Sequence, residues 1–330
     1  MLMKNATIFR ICLGVLLSCY WSVAMAVIDN PEAVQAFIER MVTKHHFDAR
    51  QLQSLLDAAE IKPEILAKIS APAEAMPWYK YRKIFMTEKR IAGGVSFWRQ
   101  NAQTLSIVSR QTGIPEEIII AIIGVETLYG ERVGSFRVID ALATLGFAYP
   151  KRSTFFLSEL EQFLILCREE RLDPLQPVGS YAGAMGLPQF MPSSYRNFAV
   201  DFGHDNARDI WKNPADAIAS VANYFAKHKW QKGGGIFIPA LADGVAYKDL
   251  LSSELAPELS PADLQLHHVS IADDSELEPS VKLLAYEQES GDELWLGLHN
   301  YYVITRYNHS PLYALAVYQL AQAIADQYKS

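Results

Sequence analysis

Pro115-Glu-Glu-Ile-Ile-Ile-Ala-Ile-Ile-Gly-Val-Glu126-Thr-Leu-Tyr-Gly130 reads as an apolar helix carrying one carboxylate on its hydrophobic face. A 3.6-residue period places Glu126 beside Ile119, Ile122 and Ile123. Pro115 suits the first helical position and Gly130 a C-cap, so Glu126 is expected in the last turns. Apolar neighbours and the negative end of the helix dipole both favour its protonated form. A carboxylic acid still protonated near neutral pH is what a general acid for a glycosidic bond requires. The competing reading is structural: a buried Glu satisfied by a partner, or a polar helix end reaching solvent.

The helical pattern extends on both sides. Ser96–Gln111, Ser153–Glu170 and Pro214–Lys229 are the other clear helices between about residues 82 and 230. Upstream, Asn30-Pro31 opens an amphipathic helix with Val34, Phe37, Ile38, Met41 and Val42 on one face, and Asp48 can cap another carrying Leu52, Leu55 and Leu56. Pro72, Pro77 and the aromatic run Trp78 to Tyr81 mark a boundary. After Lys232-Gly-Gly-Gly235 the character changes to strand-like runs at Gly235–Pro239, Val281–Gln288 and Glu293–Leu298, with Gly291-Asp292 expected as a hairpin turn. Residues 252–279 read as irregular or small-helix connections, and a final helix runs from Pro311 to about Tyr328. The expected fold is mainly α (α+β). Its parts are a signal peptide at 1–26, an N-terminal α region at 27–81, a helical core at 82–231, a small β-containing insertion at 232–302, and a C-terminal return to the core at 303–330.

Half of the 330 residues are apolar, 20% are charged and the net charge is −7, with no Lys/Arg-rich run. That is a globular composition and argues against nucleic-acid binding. Lys4 and Arg10, the apolar stretch Ile11 to Val23, and Ala24-Met25-Ala26 have the layout of a secretory signal, which predicts a periplasmic location. Leu16-Leu17-Ser18-Cys19 competes as a lipobox, with Cys19 anchoring the chain to the outer membrane. Cleavage after Ala26 leaves Cys167 as the remaining cysteine, so no intrachain disulfide is expected. The eight histidines, including the adjacent pairs His45-His46 and His267-His268, show no metal-binding spacing.

A second segment is informative: Ser180-Tyr-Ala-Gly-Ala-Met-Gly-Leu-Pro-Gln189-Phe-Met-Pro-Ser-Ser-Tyr195. Its glycines permit close backbone approach to a ligand, and Ser180, Gln189 and Tyr195 offer hydrogen bonds. A third is Tyr301-Tyr-Val-Ile-Thr-Arg-Tyr307-Asn308-His-Ser-Pro-Leu-Tyr313-Ala. With the Glu126 motif, these three in order resemble the lytic murein transglycosylases, more narrowly the membrane-bound lytic murein transglycosylase B family. The likeness spans about residues 31 to 325.

The resemblance implies a lysozyme-like helical core with an N-terminal α domain and a small β domain. It also implies cleavage of the MurNAc-β-1,4-GlcNAc bond of peptidoglycan glycan strands, the muramyl 6-hydroxyl attacking its own C1 to leave a 1,6-anhydro end. Hydrolytic glycosidases usually need two carboxylates. A tethered acceptor removes the need to position water, so Glu126 can serve first as acid and then as base. The alternatives are a muramidase-type hydrolase, with Asp140 or Glu131 as the second carboxylate nearest in sequence, and a catalytically weak peptidoglycan-binding scaffold. By motif, Ser180, Gln189, Tyr307, Asn308 and Tyr313 would contact sugar or orient Glu126, and Tyr81 and Tyr224 would add aromatic surface. Lys151 and Arg152 would meet the lactyl or stem-peptide carboxylate, with Lys151 lacking the bidentate fork of an Arg. No cofactor is required. Asp201-Phe-Gly203-His-Asp205-Asn-Ala207-Arg-Asp209 resembles a calcium loop, with Asp201, Asp205 and Asp216 as candidate ligands. Gly203 and Asn206 break the EF-hand pattern at positions 3 and 6. Protein partners among the cell-wall synthesis and division machinery are not identified by any motif.

Overall fold

A computed structural model describes residues 30–70, 76–271 and 276–330. The expected signal segment and Cys19 lie outside the described residues.

The chain opens with three helices: α1 (Pro31–His45), α2 (Ala49–Asp57) and α3 (Pro63–Ile69). The Asn30 and Asp48 side chains accept backbone N–H groups of Ala33 and Gln51, satisfying donors that a helix start leaves open. Then come α4 (Trp78–Phe85), α5 (Glu88–Thr112) and α6 (Glu116–Thr127). Helix α5 is longer than its apolar pattern suggests and kinks at Asn101, whose side-chain amide donates to the Phe97 carbonyl and competes with the ladder. Helix α7 (Val138–Ala148) is buried along nearly its whole length, so it shows no amphipathic stripe and was not singled out by periodicity. It packs on α8 (Ser153–Glu169), and α8 packs on α9 (Pro192–Phe198). Between them, β1 (Phe136–Arg137) and β2 (Val178–Gly179) form a two-residue antiparallel ribbon with Phe136 opposite Gly179. Helix α10 (Pro214–Lys227) packs against α5 and α6.

The β region holds β3 (Phe237–Ala242), α11 (Pro261–Leu266), β4 (Val269–Ile271), β5 (Lys282–Gln288) and β6 (Gly291–Gly297). Its four strands are antiparallel in the order β4-β3-β6-β5. Strand β4 has too short an alternation to be visible in sequence. The β5–β6 hairpin turns at Glu289 and Ser290, with Gln288 opposite Gly291, so Gly291-Asp292 opens β6 and is not the turn as expected. Ile238, Val281, Leu283, Leu296 and Tyr247 form a small core of this region's own. Tyr286 of β5 instead meets Trp78 of α4 at 5.4 Å, joining the sheet to the main core.

Two helices close the chain: α12 (His299–Tyr307) and α13 (Pro311–Lys329). Helix α13 lies against α4, α5 and α6. Helix α6 is therefore enclosed by α5, α10 and α13, and Ile118 to Ile123 are all essentially inaccessible. Among the described residues no helix is long and apolar enough to cross a membrane.

Candidate active site

Glu126 lies in the last turn of α6, partly buried at the protein surface. Pro115 is the N-cap and the helix starts at Glu116, one residue later than expected. The C-cap differs more. Leu128 caps the helix at φ 51°, and Tyr129 and Gly130 follow in the same left-handed region at 60° and 98°. Gly130 is thus the third such residue rather than the cap. Two consecutive non-glycine residues there are unfavourable unless the surroundings hold them.

The Tyr129 ring supplies that hold. Its hydroxyl donates to the Arg90 carbonyl at 2.8 Å, and the ring sits in a socket of missing side chains. A Cβ on Gly124 would come within 2.5 Å of the Tyr129 Oη, and one on Gly94 within 2.7 Å. The Arg90 guanidinium, itself buried, donates to the Gly124 carbonyl at 3.0 Å, satisfying an acceptor near the helix end. Thr127, fully buried, donates from Oγ1 to the Leu187 carbonyl at 3.0 Å and ties α6 to the glycine-rich loop. Arg90, Thr127 and Tyr129 were not identified as site residues from sequence; for Thr127 and Tyr129, adjacency to Glu126 was the available signal.

The loop folds back on itself. Met185 and Phe190 exchange backbone hydrogen bonds at 2.8 and 3.0 Å. Gly183 at φ 82° fits against Leu142, where a Cβ would meet Cδ2 at 2.6 Å, and Gly186 at φ 65° lies on the Ile210 carbonyl. Ser180 Oγ accepts from the Ala184 backbone N–H at 3.0 Å. Gln189 stands at φ 51°, and its amide donates to the Gly186 and Val133 carbonyls at 2.9 and 3.2 Å. Any contact of Gln189 with a sugar would therefore use its carbonyl oxygen. Tyr195 points elsewhere: it is buried and its hydroxyl donates to the Arg208 carbonyl.

The C-terminal segment completes the cleft. Tyr313, in the first turn of α13, donates its hydroxyl to Glu126 Oε1 at 2.6 Å. The Tyr307 ring lies nearly parallel to Tyr313, 9° apart in plane and 6.5 Å between centroids, and its hydroxyl donates to the Pro188 carbonyl. Tyr224 packs on Tyr307 at 4.7 Å, and Phe190, also not singled out from sequence, touches both rings. Asn308 is the C-cap of α12, in extended conformation directly after Tyr307. Tyr81 acts electrostatically on Tyr313 and packs on Phe85. Glu126, Tyr313, Tyr307 and Tyr224 therefore form one cluster that meets the glycine-rich loop at Pro188 and Phe190, with Tyr81 beside Tyr313. Lys151 and Arg152 lie on an exposed 3-10 turn between α7 and α8, with the Arg152 guanidinium 4.4 Å from the Phe155 ring centre.

Burial pushes the Glu126 carboxyl up to about 7, and the Tyr313 hydrogen bond opposes that rise. Tyr307 and Tyr313 are held well above the usual phenol range by burial and by the nearby Glu126 charge, so both remain protonated donors. A carboxyl balanced near neutrality can release and recover a proton within one turnover. The two second-carboxylate candidates stand in different surroundings. Asp140 is buried, held by Arg137 at 2.7 and 2.9 Å and by the Glu60 N–H at 3.0 Å. Glu131 is exposed and pairs with Lys89. Cys167 is buried, its thiol pushed up to about 12, which makes it inert.

The candidate calcium ligands are hydrogen-bonded within their own loop. Asp201 accepts the Asp205 and Asn206 N–H groups, Asp205 that of Ala207, and buried Asp216 those of Phe202 and Asp209. The three carboxylates are turned onto the loop's own amides, and Gly203 supplies no side-chain oxygen. Among the described residues no group of three acidic, His or Cys side chains is placed to hold a metal ion. Each carboxylate keeps further acceptor sites, and the departures from a calcium loop are Gly203 at position 3 and Asn206 at position 6.

Comparison with known proteins agrees with this architecture. The family model of the transglycosylase SLT domain matches residues 29–322. The chain is 43% identical over 313 residues to the membrane-bound lytic murein transglycosylase B of Escherichia coli K12, covering 90% of this chain and 83% of the relative. The crystal structure of the soluble lytic transglycosylase SltB1 from Pseudomonas aeruginosa superposes with a TM-score of 0.85 at 44% identity, covering 90% of this chain and 99% of that one. The Escherichia coli lytic transglycosylase Slt35 solved in complex with calcium gives a TM-score of 0.85 at 40% identity, covering 94% and 99%. With its helical core, small sheet and Glu126 cleft, the chain belongs to the transglycosylase SLT domain family and is a lytic transglycosylase.

Proposed function

We propose that the protein cleaves the MurNAc-β-1,4-GlcNAc bond of peptidoglycan glycan strands and leaves 1,6-anhydromuramic acid ends, with Glu126 as the single acid/base. The observation that carries this reading is one carboxyl pushed up to about 7 and held by the Tyr313 hydroxyl, with Asp140 engaged by Arg137 in the core and Glu131 exposed beside Lys89. Protonated Glu126 donates its proton to the glycosidic oxygen as the C1–O bond breaks. The resulting carboxylate, held by Tyr313, takes the proton of the muramyl 6-hydroxyl as that oxygen bonds to C1. The proton count closes, and no second carboxylate is needed because the acceptor is already tethered.

In this reading Tyr307, Tyr313, Tyr224 and Tyr81 present ring faces to the apolar faces of sugars. Ser180, Asn308 and the Gln189 carbonyl bond their polar groups, and Lys151 and Arg152 meet a lactyl or peptide carboxylate further along the strand. We assign residues 82–231 and 303–330 to the catalytic core, 27–81 to an N-terminal α region and 232–302 to an inserted β region. A peptidoglycan substrate and the likeness to a membrane-bound relative support a periplasmic location, reached either by cleavage after Ala26 or with a lipid anchor on Cys19.

Mass spectrometry of fragments released from purified peptidoglycan tests the chemistry. The wild-type protein should yield anhydro ends, lighter by one water than reducing ends, and a folded Glu126→Gln variant should yield none. Reducing ends would mean a hydrolase. Unchanged cleavage by Glu126→Gln would remove Glu126 from the mechanism, and no cleavage by either protein would favour a binding scaffold.

A further inference from the structure

The ribbon of β1 and β2 has a second side that the chemistry at Glu126 does not use. There a cavity of about 530 Å³ opens between the residues before β2 and the 207–212 segment. That volume lies within the roughly 300–1,000 Å³ typical of small-molecule sites.

Trp211, Leu172 and Val178 make its apolar side. The indole Nε1–H donates to the Val178 carbonyl at 3.1 Å, and the Tyr195 ring packs on the indole at 5.8 Å. The ring is thus fixed before any ligand arrives, which lowers the ordering cost of binding. On the polar side, Arg208 binds Glu170 with an Nε–Oε1 distance of 2.7 Å. The Asp209 carboxylate accepts the N–H groups of Trp211 and Lys212 at 2.9 and 3.0 Å. Glu170 and Asp209 balance Arg208 and Lys212, so the lining carries no net charge. An anionic peptide or phosphate would gain no charge complementarity there. A neutral ring with one apolar face and hydroxyl or amide groups at its edge matches the fixed indole and the polar rim. The cavity also shares its wall with the cleft: the Val133 carbonyl accepts from Gln189 at 3.2 Å, and Val178 precedes Ser180 by two residues.

We propose that this cavity is a second saccharide site, holding an N-acetylhexosamine unit of a glycan strand outside the cleft. It rests on the glycan reading above.

The test follows the Trp211 indole N–H resonance of ¹⁵N-labelled Glu126→Gln protein during titration with chitotriose, the resonance being identified by its loss in Trp211→Phe. A saturable shift is expected. It should vanish in a Leu172→Arg variant that still melts cooperatively, because Leu172 is partly exposed at the cavity mouth. No shift at Trp211 overturns the site, as does a shift produced by an acidic tripeptide in place of the sugar. Either result leaves the glycan reading standing if wild-type protein releases anhydro ends and Glu126→Gln does not.

Discussion

At the scale of single residues, the balance at Glu126 has two measurable consequences. The Tyr313 hydrogen bond favours the carboxylate, so its removal raises the Glu126 value above about 7. A Tyr313→Phe variant should therefore lose rate, because the base form is harder to reach. The alkaline limb of its pH–rate profile should move upward, read as anhydro-end release between about pH 5 and 9. The second consequence concerns stability. A carboxyl raised from 4.5 to about 7 by folding supports the fold fully below 4.5 and loses that support as pH rises through 7. The difference is at most roughly 3 kcal/mol, and less with the side chain partly exposed. Glu126→Gln should accordingly melt higher than wild type at about pH 8, with the gap closing near pH 4. Equal melting curves at both values would mean that Glu126 is solvated like a surface acid. Glu126 itself was legible because its isoleucine neighbours recur with the helical period. Its hydrogen-bond partner was not legible from spacing, since Tyr313 is 187 positions away and lay within reach only through the motif resemblance.

Among the elements, the end of α6 depends on the three glycines around the Tyr129 ring. Gly124→Ala puts a methyl group into the Tyr129 Oη, with Gly93 and Gly94 bounding the opposite side. A destabilisation of about 1–3 kcal/mol is expected from such overpacking. Activity should fall further than the unfolded fraction explains, because the same shift moves Glu126; thermal melts beside single-temperature rates separate the two. The sequence rule that makes glycine the usual helix stop points to Gly130 here. It fails because the Tyr129 anchor and the Arg90 bond to Gly124 hold Leu128 in the left-handed region. The hairpin between β5 and β6 is a similar case. Gly291 has φ 125°, a value that suits glycine, yet it pairs with Gln288 as the first residue of β6. Local turn chemistry located the glycine, and register decided its place.

For the molecule as a whole, helical class, inserted sheet and returning C-terminal helix were all readable from patterning. The almost wholly buried α7 and the three-residue β4 were not, because neither leaves a periodic trace. The 201–216 loop resembles a calcium site in its spacing but lacks the side-chain oxygen at position 3 and the glycine at position 6. Millimolar calcium or a chelator should leave the melting temperature unchanged. Gly203→Asp restores an oxygen at the missing position, and a Cβ there meets nothing within 4 Å. That variant should gain a calcium-dependent rise in melting temperature, checked by the same scans with and without the ion.

The bond between Tyr313 and Glu126 also orders events in time. A chain that emerges from its N-terminus presents the acid long before the helix that steadies it has been made or docked. Until that last helix seats, the carboxyl lacks its phenol, one wall of the cleft is absent, and α6 lacks a packing partner. Cutting power thus arrives only when the final segment is in place. Folding itself becomes a latch on an enzyme whose premature action would breach the polymer that keeps the cell intact.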